Sequence, residues 1–361
     1  MKRVLVLEPY FGGSHKQFLD GLQKYVPGEY VFCTLPARSW QMRMQLSAPW
    51  FIEKIKDLPV DKRCFDCVLC STFVDVAVFR GLLNNIDGWN HHARILTYFH
   101  ENQFVYPFRY NAQTQHQYAS INFHSALASD SIAFNSEYNR QTFFHGCRKG
   151  LGAAPEMKLS GLVTDLAAKS IVLSPGIEFS AIDTIRWKTT TDISVIVWNH
   201  RWEHDKNPQS FFLALECLVQ RGFDFRLLVL GQSFAGAPDC FYDAEIKFKD
   251  KIIHFGFVPS RQRYAELLSQ GDIVVSTALH EFYGIAIIEA VRAGCLPVLP
   301  DQLSYPELFD RKFLYSANCL QEKLEQAVRS ACRLSRSTAK EMTDHFSWQS
   351  LQGRYAQWLQ V

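Results

Sequence analysis

The stretch Glu281-Phe282-Tyr283-Gly284-Ile285-Ala286-Ile287-Ile288-Glu289-Ala290 decides how this chain folds. It follows a short apolar run, Ile273–Ser276, and leads into a helix-length segment ending near Gly294. Gly284 marks the turn into that helix, whose first N–H groups have no intrahelical partner. Glu289 falls one to two turns in, and its neighbours a turn away, Ile285, Ala286 and Ala293, are apolar. A carboxylate on such a stripe is costly unless something bonds it. Ribose hydroxyls would do so, two donors matching two carboxylate oxygens; a Glu289–Arg292 pair on the helix surface is the plainer alternative. Glu281, in the loop before the helix, points to a second polyol group nearby.

The same alternation of short apolar run and helix-length segment continues outward in both directions. Strands are expected at Arg3–Leu7, Tyr30–Thr34, Cys67–Cys70, Ile95–Phe99, Ser131–Phe134 and Ser170–Leu173 in the first half. In the second they are expected at Ile193–Trp198, Arg226–Leu230, Ile252–Phe255, Ile273–Ser276 and Leu296–Leu299. These runs are continuously apolar, as parallel strands covered on both faces must be. The fold class is therefore α/β, with two Rossmann-like doubly wound domains facing across a cleft. Pro175-Gly176 and the polar run to Asp192 place the division, giving residues 1–180 and 181–345. Residues 346–361 form an aromatic-rich helix that either domain could hold, including by crossing back to the first.

Composition fits two such domains and excludes several classes. The 361 residues are 47% hydrophobic and 20% charged, which rules out a disordered or fibrous chain. A formal net charge of +2 rules out coating a nucleic acid by bulk charge. The charge is uneven: residues 1–180 carry 18 basic and 15 acidic side chains, residues 181–361 carry 20 and 21. The first half also has two acid-poor stretches, Tyr30 to Ile52 and Gly88 to Ser129, so an anionic partner is expected on that side. No run is apolar for long enough to cross a bilayer, and the ten Cys do not make a small secreted framework. A cytoplasmic protein with reduced thiols is expected. Cys64, Cys67 and Cys70 have metal-like spacing but lack a fourth ligand nearby, and two of them fall within an expected strand.

In α/β domains of this kind, ligands bind beyond the C-terminal ends of the strands. After the first strand come Gly12 and Gly13, then His15 and Lys16, a loop that could let backbone N–H groups approach an anion. It lacks the G-x-G-x-x-G of a dinucleotide site. After Ile193–Trp198 comes Asn199-His200-Arg201-Trp202-Glu203-His204-Asp205-Lys206-Asn207-Pro208. Asn207 and Pro208 read as N-cap and first helical position. That leaves Arg201 and Lys206 on a strand-to-helix loop, suited to a diphosphate. His200, Glu203 and His204 also spell H-x-x-E-H, a zinc-protease pattern, but the strand before and Pro208 after leave no helix to present both imidazoles.

The E-x7-E element from Glu281 to Glu289, with Gly284 between, resembles the donor site of retaining glycosyltransferases of the GT-B fold, family 4. Arg201 and Lys206, His254-Phe255-Gly256-Phe257-Val258, Gly294-Cys295-Leu296-Pro297-Val298 and Tyr305-Pro306-Glu307-Leu308 extend the resemblance over most of residues 193–308. In the first half, Phe11 to Lys16, Thr34-Leu35-Pro36-Ala37 with Trp40, and Tyr98-Phe99-His100-Glu101-Asn102-Gln103 with Tyr106-Pro107 resemble the tRNA-queuosine α-mannosyltransferase family. The resemblance implies transfer of mannose from GDP-mannose to the cyclopentene-diol of queuosine in an aspartate tRNA anticodon, with retention and without a metal. It implies that Arg201 and Lys206 hold the diphosphate and that Glu281 holds sugar hydroxyls. It further implies main-chain contacts from Phe282, Tyr283, Gly284 and Ile285, and a sugar contact from His100 across the cleft. No cofactor is expected beyond the GDP-mannose donor substrate.

For the tRNA, Arg38, Trp40, Arg43, Arg109, Arg140, Arg148 and Lys149 are the candidates to position phosphates or stack on loop bases. A family 4 enzyme acting on a lipid or small glycoside is the competing reading. It would use an amphipathic patch such as Met42-Arg43-Met44 through Trp50-Phe51. A non-catalytic RNA- or nucleotide-sugar-binding protein on the same scaffold is the alternative of another class.

Overall fold

The computed structural model describes residues 1–107, 112–187, 193–234, 236–330 and 333–361. The chain divides into two compact units. Unit 1 is Met1–Ile177 with Trp348–Val361, and unit 2 is Glu178–Ser347.

Unit 1 carries strands β1 (Arg3–Phe11), β2 (Glu29–Pro36), β3 (Cys67–Ser71), β4 (Arg94–Phe99), β5 (Ser131–Phe134) and β6 (Ser170–Val172). They form one sheet in the order β2-β1-β3-β4-β5-β6, and every pairing is parallel. Alternate residues of β1 feed opposite cores, because side chains in a strand alternate between faces. Val4 and Val6 join Phe18, Leu22 and Tyr98 on one side. Leu5 and Leu7 join Phe51, Val68 and Phe79 on the other.

The C-terminal helix Trp348–Leu359 belongs to this unit and closes the first of those cores with Trp348, Tyr355 and Trp358. Its Trp348 ring lies so close to Gly21 and Gly176 that a Cβ on either would sit 1.9 and 2.2 Å from ring atoms. Hydrogen bonds from Tyr355 to the Ser174 carbonyl (2.8 Å) and from Trp358 to Ser131 Oγ (3.0 Å) fix the helix in place.

Unit 2 carries β7 (Ser194–Trp198), β8 (Phe225–Leu230), β9 (Ile252–Gly256), β10 (Ile273–Val275), β11 (Leu296–Pro300) and β12 (Leu314–Tyr315). The order is β12-β11-β10-β7-β8-β9, again wholly parallel. Numbered from β7 as one, this is 3-2-1-4-5-6, the order of dinucleotide-binding domains. The order reverses between β7 and β10 in unit 2, and between β1 and β3 in unit 1. Ligand crevices of doubly wound sheets open beyond the strand ends at such points.

Two local expectations are corrected. β1 does not stop at Leu7 but runs to Phe11, through Pro9, with a register shift between Glu8 and Phe11. Asn207 stands at the N-cap position of the helix Pro208–Gln220, yet its backbone is left-handed (φ 49°) and its side chain makes no cap bond. Among the described residues no helix is long and apolar enough to cross a membrane. The nine cysteines described are all free thiols, with Cys67 and Cys70 buried in β3.

Candidate functional site

In unit 2, the loops after β7 and β10 are stitched together. Thr277 Oγ1 donates to the Lys206 carbonyl (2.9 Å), and the Leu279 N–H donates to the Asp205 carbonyl (2.8 Å). This folds Lys206 inward until it is 6% exposed. Its ammonium donates to the His280 carbonyl at 2.5 Å and lies 3.1 Å from Asp205 and 3.4 Å from Glu281. Burial works against the charge on Lys206, but Glu281 and Asp205 outweigh it and raise its pKa. For Glu281, burial favours the neutral acid, yet Lys206 prevails and holds the carboxyl down at about 2. Burial and the Lys206 charge push His200 and His280 down to about 4, so both are neutral. The H-x-x-E-H stretch is accordingly no zinc helix: His204–Lys206 is a single 3-10 turn. Arg201 is exposed and lies 3.1 Å from Glu203.

The helix Ile285–Arg292 begins at the end of the β10 loop. Gly284 has φ 105°, and a Cβ there would stand 3.2 Å from the Tyr305 ring, so the turn needs glycine. No side chain caps the helix, and its leading N–H groups are left to whatever approaches them. Phe282 and Tyr283 are buried beneath the turn.

Glu289 is 4% exposed, as its apolar stripe requires, but its partner is not Arg292. Arg292 instead binds Asp183 (2.7 and 2.8 Å) and Asp344 (2.6 Å). Glu289 is held at 2.5 Å by Arg261, whose guanidinium also lies over Tyr264. Burial opposes the Arg261 charge, and Glu289 more than restores it. Asn199 completes the group, donating to Tyr264 (3.1 Å) and to the Ala286 carbonyl (2.7 Å). Sequence reasoning missed Arg261, Tyr264 and Asn199. Arg261 lies 28 residues before Glu289 on a separate helix, and no fixed spacing links them. Asn199 Oδ1 and His200 Nε2 are buried with no hydrogen-bond partner among the described residues. Such orphaned groups are expected where a ligand or water docks.

In unit 1, the glycine loop is shorter than expected, because Gly12 ends the extended segment and the helix Gly13–Tyr25 starts at once. His15 therefore sits in the first turn. Its Nδ1 is 2.9 Å from Glu8, and its Nε2 is 3.4 Å from Glu101. Glu8 also accepts from the Tyr10 N–H (2.7 Å) and from Ser71 at the end of β3 (3.2 Å). Burial disfavours a charge on His15, but Glu8 and then Glu101 overcome it and lift its pKa to about 10. His100 lies beside it, ring centroids 4.0 Å apart and planes tilted by 30°, and burial followed by the His15 charge keeps His100 neutral. Glu8, His15 and His100 could offer three metal-ligand atoms within 4.8 Å of one another. Both ring nitrogens of His15 already face carboxylates, Nδ1 that of Glu8 and Nε2 that of Glu101, which makes the group an ion-pair network as arranged. Lys16 turns along its helix to Asp20 and the Phe11 ring.

A stability consequence follows from His15. Its raised pKa contributes stability in full below about pH 6.5, and that contribution is lost as pH rises through 6.5 towards 10. His15→Gln is expected to lower the melting temperature at pH 6 and to shrink the difference from the parent steadily up to pH 10. Melting curves that stay parallel over that range would show that His15 is not charged in the fold.

The candidate RNA residues fall in two groups on unit 1. Trp40 opens the helix Trp40–Lys56 and packs against Phe73, Tyr106 and Tyr118, with Arg38 exposed just before it. Arg43 lies one turn on, its Nε buried without a hydrogen-bond partner. Arg140, Arg148 and Lys149 share the helix Glu137–Leu151. Arg140 is tied to Glu137 (3.1 Å) and Ser170 (3.0 Å), while Arg148 and Lys149 are exposed. Arg109 lies outside the described residues. Of the stretch suggested for a lipid acceptor, Met44 and Phe51 are fully buried in the cores of the unit, while Met42 and Leu46 are exposed.

Two parallel doubly wound units, with a glycine-led helix and its flanking carboxylates at the switch point of the second, define a GT-B glycosyltransferase, a hexosyltransferase. Residues 182–345 match the family model for glycosyl transferases group 1, and residues 3–177 match that for the tRNA-queuosine alpha-mannosyltransferase N-terminal region. The chain belongs to the tRNA-queuosine alpha-mannosyltransferase family. It is 33% identical over 353 residues to the tRNA-queuosine alpha-mannosyltransferase of Drosophila melanogaster, covering 95% of this chain and 90% of that one. It is 27% identical over 168 residues to a GDP-mannose-dependent alpha-(1-6)-phosphatidylinositol dimannoside mannosyltransferase of Mycobacterium tuberculosis, covering 45% and 42%. The fold is shared with the catalytic domain of starch synthase IV from Arabidopsis thaliana, at TM-score 0.69, 12% identity and 99% coverage of both chains.

Proposed function

We propose that this protein transfers mannose from GDP-mannose to queuosine in the anticodon of tRNA(Asp), with retention at the anomeric carbon. The observation that carries the acceptor reading is the likeness to the Drosophila enzyme along 95% of the chain, unit 1 included. The donor reading rests on chemistry in unit 2, together with the GDP-mannose dependence named for the mycobacterial relative.

Lys206 and Arg201, with the free N–H groups after Gly284, supply positive potential for a departing diphosphate. Fixed cations of this kind make a divalent metal dispensable. Glu281, ionised at any physiological pH, accepts from sugar hydroxyls. Glu289 has one oxygen engaged by Arg261 and takes the ribose. The main chain from Phe282 to Ile285 contacts sugar and phosphate, and Asn199 and His200 offer their orphaned atoms to the nucleotide. In unit 1, neutral His100 is assigned to hydrogen bonding of the transferred sugar. The thiol-rich chain suits a cytosolic reaction.

The test is to incubate the protein with GDP-mannose and tRNA with or without queuosine, then weigh the digested nucleosides. A hexose is expected on queuosine and on nothing else. Donor consumption with no labelled RNA would move the acceptor to another class of molecule.

A further inference from the structure

A cavity of about 180 Å³ opens in unit 2 away from the donor loops, lined by Ile182, Asp183, Trp187, Arg292, Arg336 and Lys340. Arg292 closes the helix Ile285–Arg292, whose other end is Gly284. At 1.5 Å per residue the cavity lies about 12 Å of helix from the proposed diphosphate position, so it is not the donor subsite.

Its acids are already committed. Asp183 grips Arg292 with both oxygens and Asp344 takes a third guanidinium donor. Its remaining cations are not. Arg336 and Lys340 are exposed, lie four residues apart on the helix Arg336–Thr343, and have no ion pair among the described residues. Glu341 is the one acid on that helix and sits about 100° around it from Lys340. Arg221, Lys247, Lys251, Arg263 and Arg329 of unit 2 are each matched by a carboxylate, whereas Arg226 and Lys323 bond only to backbone carbonyls.

The half-buried indole of Trp187 joins this group. The guanidinium carbons of Arg333 and Arg336 lie 4.4 and 5.0 Å from its ring centroid. Arg336 is oriented by a bond to the Ile185 carbonyl (2.6 Å), and Arg333 by one to the Ala293 carbonyl. The Nε of Arg333 is buried with no partner.

We propose that this face, Trp187 with Arg333, Arg336 and Lys340, binds the phosphodiester backbone of the RNA acceptor. The inference rests on the proposed function for the identity of that acceptor. Two cations one helical turn apart present charge at 5–6 Å spacing along a strand of phosphates. The Trp187 indole orders two of these guanidinium groups by cation–π contact, so less side-chain freedom is lost when they take phosphates. This moves part of the RNA contact to the half of the chain whose total charge is slightly negative, because local pairing, not the total, leaves these cations available.

The experiment measures binding of queuosine-bearing tRNA by fluorescence anisotropy between 50 and 200 mM salt, alongside calorimetric binding of GDP-mannose. The Arg336→Glu/Lys340→Glu protein is expected to lose at least about tenfold in tRNA affinity at 100 mM salt. Its log–log salt slope should be shallower by about 2, with donor binding unchanged. Arg336→Gln/Lys340→Gln should show a smaller loss at an unaltered melting temperature, which guards against a misfolded first variant. Unchanged affinity and slope in both variants overturn the proposal. So does equal tRNA affinity combined with inorganic phosphate stabilising the parent alone, which would assign the cavity to a small anion. If the parent binds the tRNA with the expected slope but transfers no hexose, the functional reading fails and the surface stands. If the parent binds no tRNA, the surface proposal fails as well.

Discussion

Lys206→Met is expected to reduce mannosyl transfer by about 10²–10³ in kcat and to destabilise the protein at the same time. Lys206 is the buried charge that Glu281 and Asp205 face, at 3.4 and 3.1 Å. Removing one member of a buried pair leaves the other uncompensated, which costs about 3–5 kcal/mol. Urea unfolding followed by fluorescence should show the lower midpoint, and single-turnover transfer from GDP-mannose should show the lower rate.

The two effects separate in the double variant Lys206→Met/Glu281→Gln. Neutralising Glu281 removes the stranded carboxylate, so stability should recover by more than half while transfer stays lost. Stability recovering together with transfer would mean that Lys206 only neutralises Glu281 and does not act on the leaving diphosphate. The acid side of the stability profile follows from the same pair. Glu281 titrates in the fold at about 2 against an ordinary 4.5, so its contribution is present above pH 4.5 and fades as pH falls towards 2.

Much of the architecture was legible because parallel strands buried on both faces must be continuously apolar. Eleven runs of that kind sit within eleven of the twelve strands, give or take their end residues. The twelfth, Leu314–Tyr315, is two residues long and carries no periodic signal. β1 ran past its expected end because Pro9 lies at an irregularity in the pairing, where no ladder bond is forfeited. The donor-side loop was legible for a related reason: a glycine needing positive φ and a carboxylate on an apolar stripe are visible one residue at a time.

What could not be read was pairing at a distance. Arg261 opens the helix Arg261–Leu268 after β9 and meets Glu289 across a separation of 28 residues. Glu8, His15 and Glu101 meet because the ends of β1, the first helix and β4 converge on one point. The halves of the sequence were also too coarse a unit for charge. Arg140, counted as available, is tied to Glu137, whereas Arg336 and Lys340, in the acidic-leaning half, are not tied to any carboxylate described.

Arg261 and Glu289 give the second large effect. Glu289→Ala is expected to raise the KM for GDP-mannose by about 10–100-fold with a smaller change in kcat. The lost contact is to the ribose, remote from the reacting bond, and binds ground and transition states alike. Arg261→Ala should produce much of the same KM increase although Arg261 is assigned no contact with the sugar. Without it, Glu289 is a nearly buried carboxylate lacking its charged donor, a loss of about 1.5–3 kcal/mol. Arg261→Lys restores the charge without the planar fork and should recover part of the affinity. In a double-mutant cycle on donor binding, the two alanine substitutions should be strongly non-additive, the pair costing little more than Glu289→Ala alone. Fully additive costs would show that Arg261 acts on the donor independently, and that Glu289 reaches the ribose without help from its guanidinium partner.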